Sequence, residues 1–250
     1  MAHDGLQWWE IIIVIGNTLD NFLHDEDNFL TQEEINLINT KVKSLRGYWK
    51  NFLDYNKENF LRSIYSKMYK NMMSYEELKS YYSIQNNFGD AIYMLDAGNY
   101  DEIDQKVQNI LKEEFDWLYD KLLNVVKKVY ETDNVKYDEK LPLPAFHIYH
   151  NKIDKTNFIN HIDRSIFDFK ENVDSDSVTS FVSLIESPKC PAYLDYGFGK
   201  KTYEVGKLHF WHGLLQHKIG NFTMSENEYR ITFQGHSYKD SKDGTVYLYF

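Results

Sequence analysis

The chain has 250 residues, of which 42% are hydrophobic and 16% aromatic, so it can bury the core of a single domain. Its formal net charge of -10 argues against a nucleic-acid partner, because phosphate binding needs a basic face. No apolar run approaches the roughly 20 residues that span a bilayer, and the longest, residues 11–15, has the length of a strand. We therefore expect no membrane partner either.

The single cysteine, Cys190, excludes an internal disulfide and a cysteine-rich metal site. The first residues, Met-Ala-His-Asp-Gly, have neither the basic region nor the apolar region of a secretory signal. These features predict a protein of the reducing cytoplasm.

Residues 31–131 are predicted to be mainly helical, after an N-terminal strand at residues 10–15. Thr31 and Glu34 have the spacing of a capping box, in which each side chain bonds the backbone of the other residue. Apolar residues at helical spacing mark a second long amphipathic helix over residues 110–129.

After residue 140 the pattern changes to short strands separated by glycines, and seven of the 12 glycines lie between Gly197 and Gly244. The predicted strands cover residues 146–149, 158–163, 178–185, 207–211, 229–233 and 246–250, and the polar stretch 171–177 is predicted to be a loop.

Helices followed by antiparallel strands indicate an α+β fold: a jelly-roll barrel, or double-stranded β-helix, flanked by helices. We expect one domain over residues 1–250, with a mainly helical part at 1–140 and the jelly-roll core at 141–250.

The triplet His161-Ile162-Asp163 places an imidazole and a carboxylate two residues apart in a predicted strand. Residues i and i+2 of a strand point to the same face, so both side chains would project into the barrel. Because such a triplet arises by chance in many proteins, it indicates a metal only together with a third ligand.

His217 is the preferred third ligand, because the chain between it and His161 is long enough for the jelly-roll strands to return beside the first. Two imidazoles and one carboxylate on one face of a metal leave the opposite positions open, as in non-haem Fe(II) oxygenases. His209 and His212 are rivals. His212, however, precedes a glycine turn, and the separation of His209 from Arg230 is long for one hairpin.

Arg230 lies on the predicted strand that follows His217, and Thr232 is two positions further on the same strand face. An arginine inside a barrel is costly without an anion, so its position implies an anion, either a protein carboxylate or a ligand. A bound 2-oxoglutarate would chelate iron through its keto-acid end and present its far carboxylate to Arg230 and Thr232. With the triad, this pair predicts an enzyme that uses Fe(II), 2-oxoglutarate and molecular oxygen.

The order of these motifs resembles the Fe(II)/2-oxoglutarate-dependent oxygenase superfamily, whose core is a double-stranded β-helix. More closely, the segments Leu-Pro-Ala-Phe-His-Ile-Tyr (143–149), Arg-Ile-Thr-Phe-Gln-Gly-His (230–236) and Tyr-Leu-Tyr-Phe (247–250) resemble the small bacterial free-amino-acid halogenases and hydroxylases, typified by the lysine chlorinase family. The resemblance covers the predicted jelly-roll core, from residue 141 to the end of the chain.

The resemblance implies hydroxylation, because halogenases of that family have a small residue where the metal carboxylate would stand, and this chain has Asp163. It also implies a small-molecule substrate, a free and basic amino acid such as lysine. The excess of acidic residues favours a cationic side chain as well. Arg46, beside Tyr48 and Trp49, is a candidate to bind the carboxylate of that substrate.

Three alternatives remain open. A zinc hydrolase could use the same three ligands, although no general base is evident beside them and Arg230 and Thr232 would have no role. A metal-free, cupin-like binding module would make the triad a coincidence. The chain would be a halogenase if Asp163 were not a metal ligand.

Overall fold

The computed structural model describes residues 23–51, 92–98, 103–153, 158, 160–197 and 199–250. The predicted N-terminal strand at residues 10–15, and much of the predicted helical half, lie outside the described residues. The helices are α1 (Gln32–Ser44) and α2 (Gln105–Val129), with 3₁₀ turns at Arg46–Tyr48 and Ser165–Asp168. The strands are β1 (Leu23–Glu26), β2 (Lys50–Asn51), β3 (Ile92–Leu95), β4 (Val135–Tyr137), β5 (Ala145–His150), β6 (Val173–Glu186), β7 (Tyr193–Asp195), β8 (Lys200–Thr202), β9 (Leu208–His212), β10 (Lys218–Ile219), β11 (Tyr229–Asp240) and β12 (Val246–Tyr249).

Both helices begin at a side-chain cap. The predicted capping box of α1 is confirmed: the Glu34 amide donates to Thr31 Oγ1 and the Thr31 amide donates to the Glu34 carboxylate. The Asp104 carboxylate accepts hydrogen bonds from the Lys106 and Val107 amides in the first turn of α2. The helix predicted over residues 110–129 is confirmed, and it begins earlier, at Gln105. Within the described ranges, no helix is both long enough and apolar enough to cross a membrane.

A large antiparallel sheet forms the centre of the fold, in the order β1-β9-β6-β11-β5-β3-β2. Strand β11 has three partner strands: its first half pairs with β5, its second half pairs with β12, and β6 runs along its other side. Strand β4 joins the outer side of β12 in parallel.

A small sheet, in the order β10-β7-β8, faces the large one. Two antiparallel bridges, Ile153 with Met224 and His161 with His217, add the segment after β5 to this sheet beside β10. From β5 to β11 the chain therefore passes back and forth between the two sheets in the connectivity of a jelly roll. The predicted double-stranded β-helix with flanking helices is confirmed.

Two apolar clusters hold the layers together. On the outer face of the large sheet, Phe146, Phe181 and Phe233 pack against the buried stripes of α1 and α2. The second cluster lies between the two sheets. Residues on the inner face of the large sheet pack there against Leu194 of the small sheet and against Phe222 and Met224, which follow it; these inner-face residues include Tyr149, Val182, Leu184 and Trp211. The candidate site lies in this second layer.

The structure differs from the sequence predictions where partner strands outweigh local composition. Strand β3 lies in the half that was predicted to be mainly helical and pairs with β5. The polar stretch 171–177, predicted as a loop, is mostly strand, because Val173 and Asp174 pair with the end of β11. The described residues of the predicted strand 158–163 form no strand, and they make a single isolated bridge, from His161 to His217. The division of the single domain at residue 140 stays a prediction.

Substituting Gly235 tests the packing of β11. A Cβ at Gly235 would lie 2.6 Å from the Tyr249 carbonyl oxygen and 2.8 Å from the Phe181 ring, and the backbone of β12 cannot yield as a flexible side chain does. We expect Gly235→Ala to lower the free energy of unfolding by about 1–3 kcal/mol in urea denaturation. Gly47→Ala is the control, with nothing within 4 Å of its added Cβ, and should shift stability by no more than about 0.5 kcal/mol. Equal stability of the two variants would contradict this packing.

Candidate metal and anion site

His161 and His217 face each other across the edge of the small sheet. The amide of each donates to the carbonyl of the other, both at 2.9 Å, so the two residues form a directly opposed antiparallel pair. Side chains of such a pair lie on the same face, and the ring centroids are 4.5 Å apart.

Asp163 is brought to this pair by a glycine. The Asp163 amide donates to the Gly213 carbonyl and the Gly213 amide donates to the Val178 carbonyl, each at 2.7 Å. A Cβ on Gly213 would lie 2.7 Å from Val178 Cγ1 and 3.2 Å from the Asp163 carbonyl oxygen. The absence of a side chain at Gly213 therefore allows the chain at Asp163 to lie against the end of β9.

The three side chains converge on one point. Asp163 Oδ1 is 3.6 Å from His161 Nε2, Asp163 Oδ2 is 3.4 Å from His217 Nε2, and one ligand atom from each residue lies within 4.8 Å of the others. This group could hold a metal ion. The side chains of His217 and Asp163 are 5% and 14% exposed and that of His161 is 53% exposed, so solvent reaches the site from the His161 side.

The protonation of the site suits a cation. His217 Nδ1 lies 2.8 Å from the Leu215 carbonyl, which can only accept, so Nδ1 carries the proton and the Nε2 lone pair faces Asp163. Burial lowers the pKa of His217. Burial alone would raise the pKa of Asp163, but three neighbouring histidines and the Ser180 hydroxyl lower it below its usual value. A neutral imidazole and a carboxylate are the forms that bind metals.

The rival histidines lie elsewhere. Both nitrogens of the buried His209 are engaged, since Nε2 accepts from the Glu204 amide at 3.3 Å and Nδ1 bonds Asp25 at 2.8 Å. His212 Nδ1 accepts from the Leu214 amide at 3.2 Å. The structure thus brings His217, and neither rival, to Asp163.

Arg230 is a buried cation on the inner face of β11, with 1% of its surface exposed. The rings of Tyr149, Tyr203 and Phe222 surround its guanidinium, with centroids 5.0, 5.5 and 5.6 Å from Cζ. Nε and Nη1 have no hydrogen-bond partner among the described residues. A buried charge in this position calls for an anion, and a carboxylate can accept charge-assisted hydrogen bonds from the guanidinium.

Thr232, the other predicted anion contact, is fully buried two residues from Arg230. Its hydroxyl donates to Gln234 Oε1 at 3.2 Å, so it would have to leave Gln234 to donate to a carboxylate. The structure therefore places Thr232 near Arg230 with its proton already engaged.

Two side chains that feel the charge of Arg230 carry no charge themselves near neutral pH. Burial lowers the pKa of His147 to about 3, helped by the charges of Arg230 and His236. Burial raises the pKa of Tyr203, on which Arg230 and Asp163 act in opposite directions. The interior thus holds the Arg230 cation and the Asp163 carboxylate, while His147 and Tyr203, which feel the charge of Arg230, stay neutral.

Three residues near the triad were not predicted from the sequence. His236 and Ser180 lie beside Asp163, and Trp211 packs edge-on against the His217 ring at 5.2 Å. His236 carried a usable signal, because it is six residues after Arg230 and an even spacing places both on one strand face. Nothing in the sequence marked Ser180 or Trp211.

Arg46, the predicted contact for a substrate carboxylate, is exposed and lies 5.7 Å from the Trp49 ring. Its charge contributes, after burial, to a lowered pKa of His150, which pairs with Tyr229. The described contacts of Arg46 therefore lie at Trp49 and near the start of β11, and none of them is with the triad.

No protein-family model matches the chain, and no curated protein matches its sequence. Similar solved structures include the non-haem α-ketoglutarate-dependent epimerase SnoN from nogalamycin biosynthesis, at 8% identity and a TM-score of 0.47, with 94% of this chain and 87% of that chain covered. A 2OG-Fe(II) oxygenase family oxidoreductase from Burkholderia pseudomallei has 8% identity and a TM-score of 0.47, covering 98% and 95% of the two chains. A prolyl hydroxylase from Trichoplax adhaerens, in complex with a peptide fragment, has 12% identity and a TM-score of 0.43, covering 95% of each chain. Such low values support no activity for this chain, whose fold is established by its own topology.

Proposed function

We propose that this protein is an Fe(II)/2-oxoglutarate-dependent oxygenase. The observation that carries the proposal is the buried guanidinium of Arg230, which has unpaired nitrogens in the interior that also holds the His-Asp-His group. A triad alone would equally suit a zinc hydrolase, and a metal-free binding module would need no triad. An unpaired buried cation within the same barrel is explained by a dicarboxylate co-substrate that binds at both places.

His161, Asp163 and His217 would hold the iron. These residues are ligands that suit Fe(II), since two imidazoles and one carboxylate on one side of a metal leave the other side to further ligands. Bound iron would supply the activation of oxygen, with 2-oxoglutarate, oxygen and a C–H substrate converted to succinate, carbon dioxide and a hydroxylated product.

Arg230 would hold the far carboxylate of 2-oxoglutarate through charge-assisted hydrogen bonds. The rings of Tyr149, Tyr203 and Phe222 exclude water from this contact, which strengthens it. The neutral state of His147 keeps a second positive charge away from Arg230 and leaves one net cation for one carboxylate.

The proposed reaction is hydroxylation, because the Asp163 carboxylate stands beside both histidines, where a halogenase would have a small side chain. The proposed substrate is a free basic amino acid such as lysine, on the resemblance of the C-terminal motifs to free-amino-acid enzymes and on the net charge of -10. The exposed side of His161 offers a small molecule a route to the site. An exposed free thiol, Cys190, fits a reducing cytoplasm.

Removing His217 tests the metal assignment. We expect His217→Ala to abolish 2-oxoglutarate turnover, measured as succinate release with Fe(II) and oxygen, and to weaken Mn(II) binding at least 10-fold in calorimetry. His24→Ala, an exposed histidine on β1, is the control and should behave as wild type. Unchanged turnover in folded His217→Ala protein would show that another side chain completes the site.

Replacing Arg230 with methionine separates the anion site from the metal site. Because the charge is buried without an anion, Arg230→Met should leave the unliganded protein at least as stable as wild type. It should weaken 2-oxoglutarate binding by about 2–5 kcal/mol, since the buried carboxylate loses its partner, while Mn(II) affinity stays the same. Arg46→Met, an exposed arginine, is the control. A wild-type response to 2-oxoglutarate in Arg230→Met would contradict the assignment.

The substrate class can be tested by incubating the protein with Fe(II), 2-oxoglutarate and each free amino acid in turn, followed by mass spectrometry. We expect a gain of one oxygen atom on lysine or a close basic analogue, with a matching yield of succinate. Turnover only on peptidyl or carrier-bound amino acids would refute the free substrate. A chlorinated product would show that Asp163 is not a ligand.

A further inference from the structure

We propose that Ser180 and His236 are positioning residues that hold Asp163 in place for the metal through a directed chain of hydrogen bonds. The inference rests on the proposed function, because it assigns these residues a role toward the metal of that site. Neither residue belongs to the triad, and neither contacts the arginine end of the barrel in the described structure.

The two residues are direct neighbours across the strands that carry them. Ser180 on β6 is paired in register with His236 on β11, and Ser180 is 1% exposed. The Ser180 hydroxyl donates to Asp163 Oδ2 at 2.5 Å and lies 3.0 Å from His236 Nδ1. His236 Nδ1 is itself 3.9 Å from Asp163 Oδ2, beyond a direct hydrogen bond.

The direction of the chain follows from counting protons. A serine hydroxyl has a single proton, which Ser180 donates to the carboxylate. The contact between Ser180 Oγ and His236 therefore requires His236 Nδ1 to carry a proton and donate it. Both donors then point the same way, toward Asp163 Oδ2, and each bond polarises the next.

This chain supplies a constraint that the backbone around Asp163 does not. Residues 162–164 belong to no strand. The described backbone hydrogen bond of Asp163 is the one that its amide donates to the Gly213 carbonyl. The hydrogen bond from Ser180 engages Oδ2 and leaves Oδ1, the oxygen 3.6 Å from His161 Nε2, for a cation. Buried partners of this kind orient metal ligands, and losing them typically weakens metal binding about 10–100-fold.

Metal binding to the whole protein tests the role of Ser180 without any turnover. We expect Ser180→Ala to weaken Co(II) and Mn(II) binding about 10–100-fold in calorimetry and to change the visible spectrum of bound Co(II). Ser180→Thr keeps the hydroxyl and should bind within about 3-fold of wild type. Ser183→Ala is a matched control, a fully buried serine of the same strand whose hydroxyl has no partner in the described structure, and should bind as wild type.

His236 can be placed in the chain with a double-mutant cycle. His236→Ala should weaken Co(II) binding less than Ser180→Ala and should cause no further loss in the Ser180→Ala background, because it acts through that hydroxyl. Wild-type affinity in folded Ser180→Ala would overturn the proposal. Fully additive losses would also overturn it, since His236 would then act on Asp163 independently.

Nitrogen-15 NMR of the histidine side chains in the metal-free protein gives a test that does not depend on metal. His236, assigned by its loss in His236→Ala, should carry its proton on Nδ1 in wild type and lose that preference in Ser180→Ala. A proton on Nε2 alone would overturn the chain. If wild type bound no metal while His236 kept its Nδ1 proton, the proposed function would fail although the hydrogen-bond chain exists.

Discussion

The pair of backbone hydrogen bonds between His161 and His217 is the constraint on which the candidate site depends. These bonds join two segments that are far apart in the sequence and set both imidazoles on one face of the small sheet. Gly213 then brings Asp163 to the same point, because a side chain there would clash with Val178. Main-chain contacts thus place all three residues of the triad so that their side chains can converge on one point.

Strand β11 connects the site to the rest of the molecule, because one of its faces packs against the helices and the other faces the site. Ile231 and Phe233 face the helices and belong to the outer core. Arg230, Thr232 and His236 alternate with them and face the small sheet, as the two-residue period of a strand requires. A shift of register by one residue would exchange these sets and bury the polar row against the helices.

Among the described residues, Arg230 and Asp163 form no ion pair with each other, although both are buried. Arg230 is surrounded by aromatic rings, and Asp163 is surrounded by histidines and the Ser180 hydroxyl. Burial keeps His147, which feels the charge of Arg230, uncharged near neutral pH. An ion pair inside the protein would satisfy Arg230 and leave no reason to bind an anion, whereas this arrangement leaves one buried cation for a ligand to satisfy.

The residue order alone determined the jelly-roll class, the capping box at Thr31 and the shortlist of His161, Asp163, His217 and Arg230, because strand period, turn glycines and costly buried charges leave local signals. The conversion of residues 173–177 to strand and the pairing of β3 with β5 were decided by partner strands, which no local window contains. The engagement of both His209 nitrogens and the contact of Ser180 with Asp163 likewise appear only in three dimensions. A hydrogen bond between residues 17 positions apart on different segments depends on how the sheets pack, and that packing depends on the whole chain.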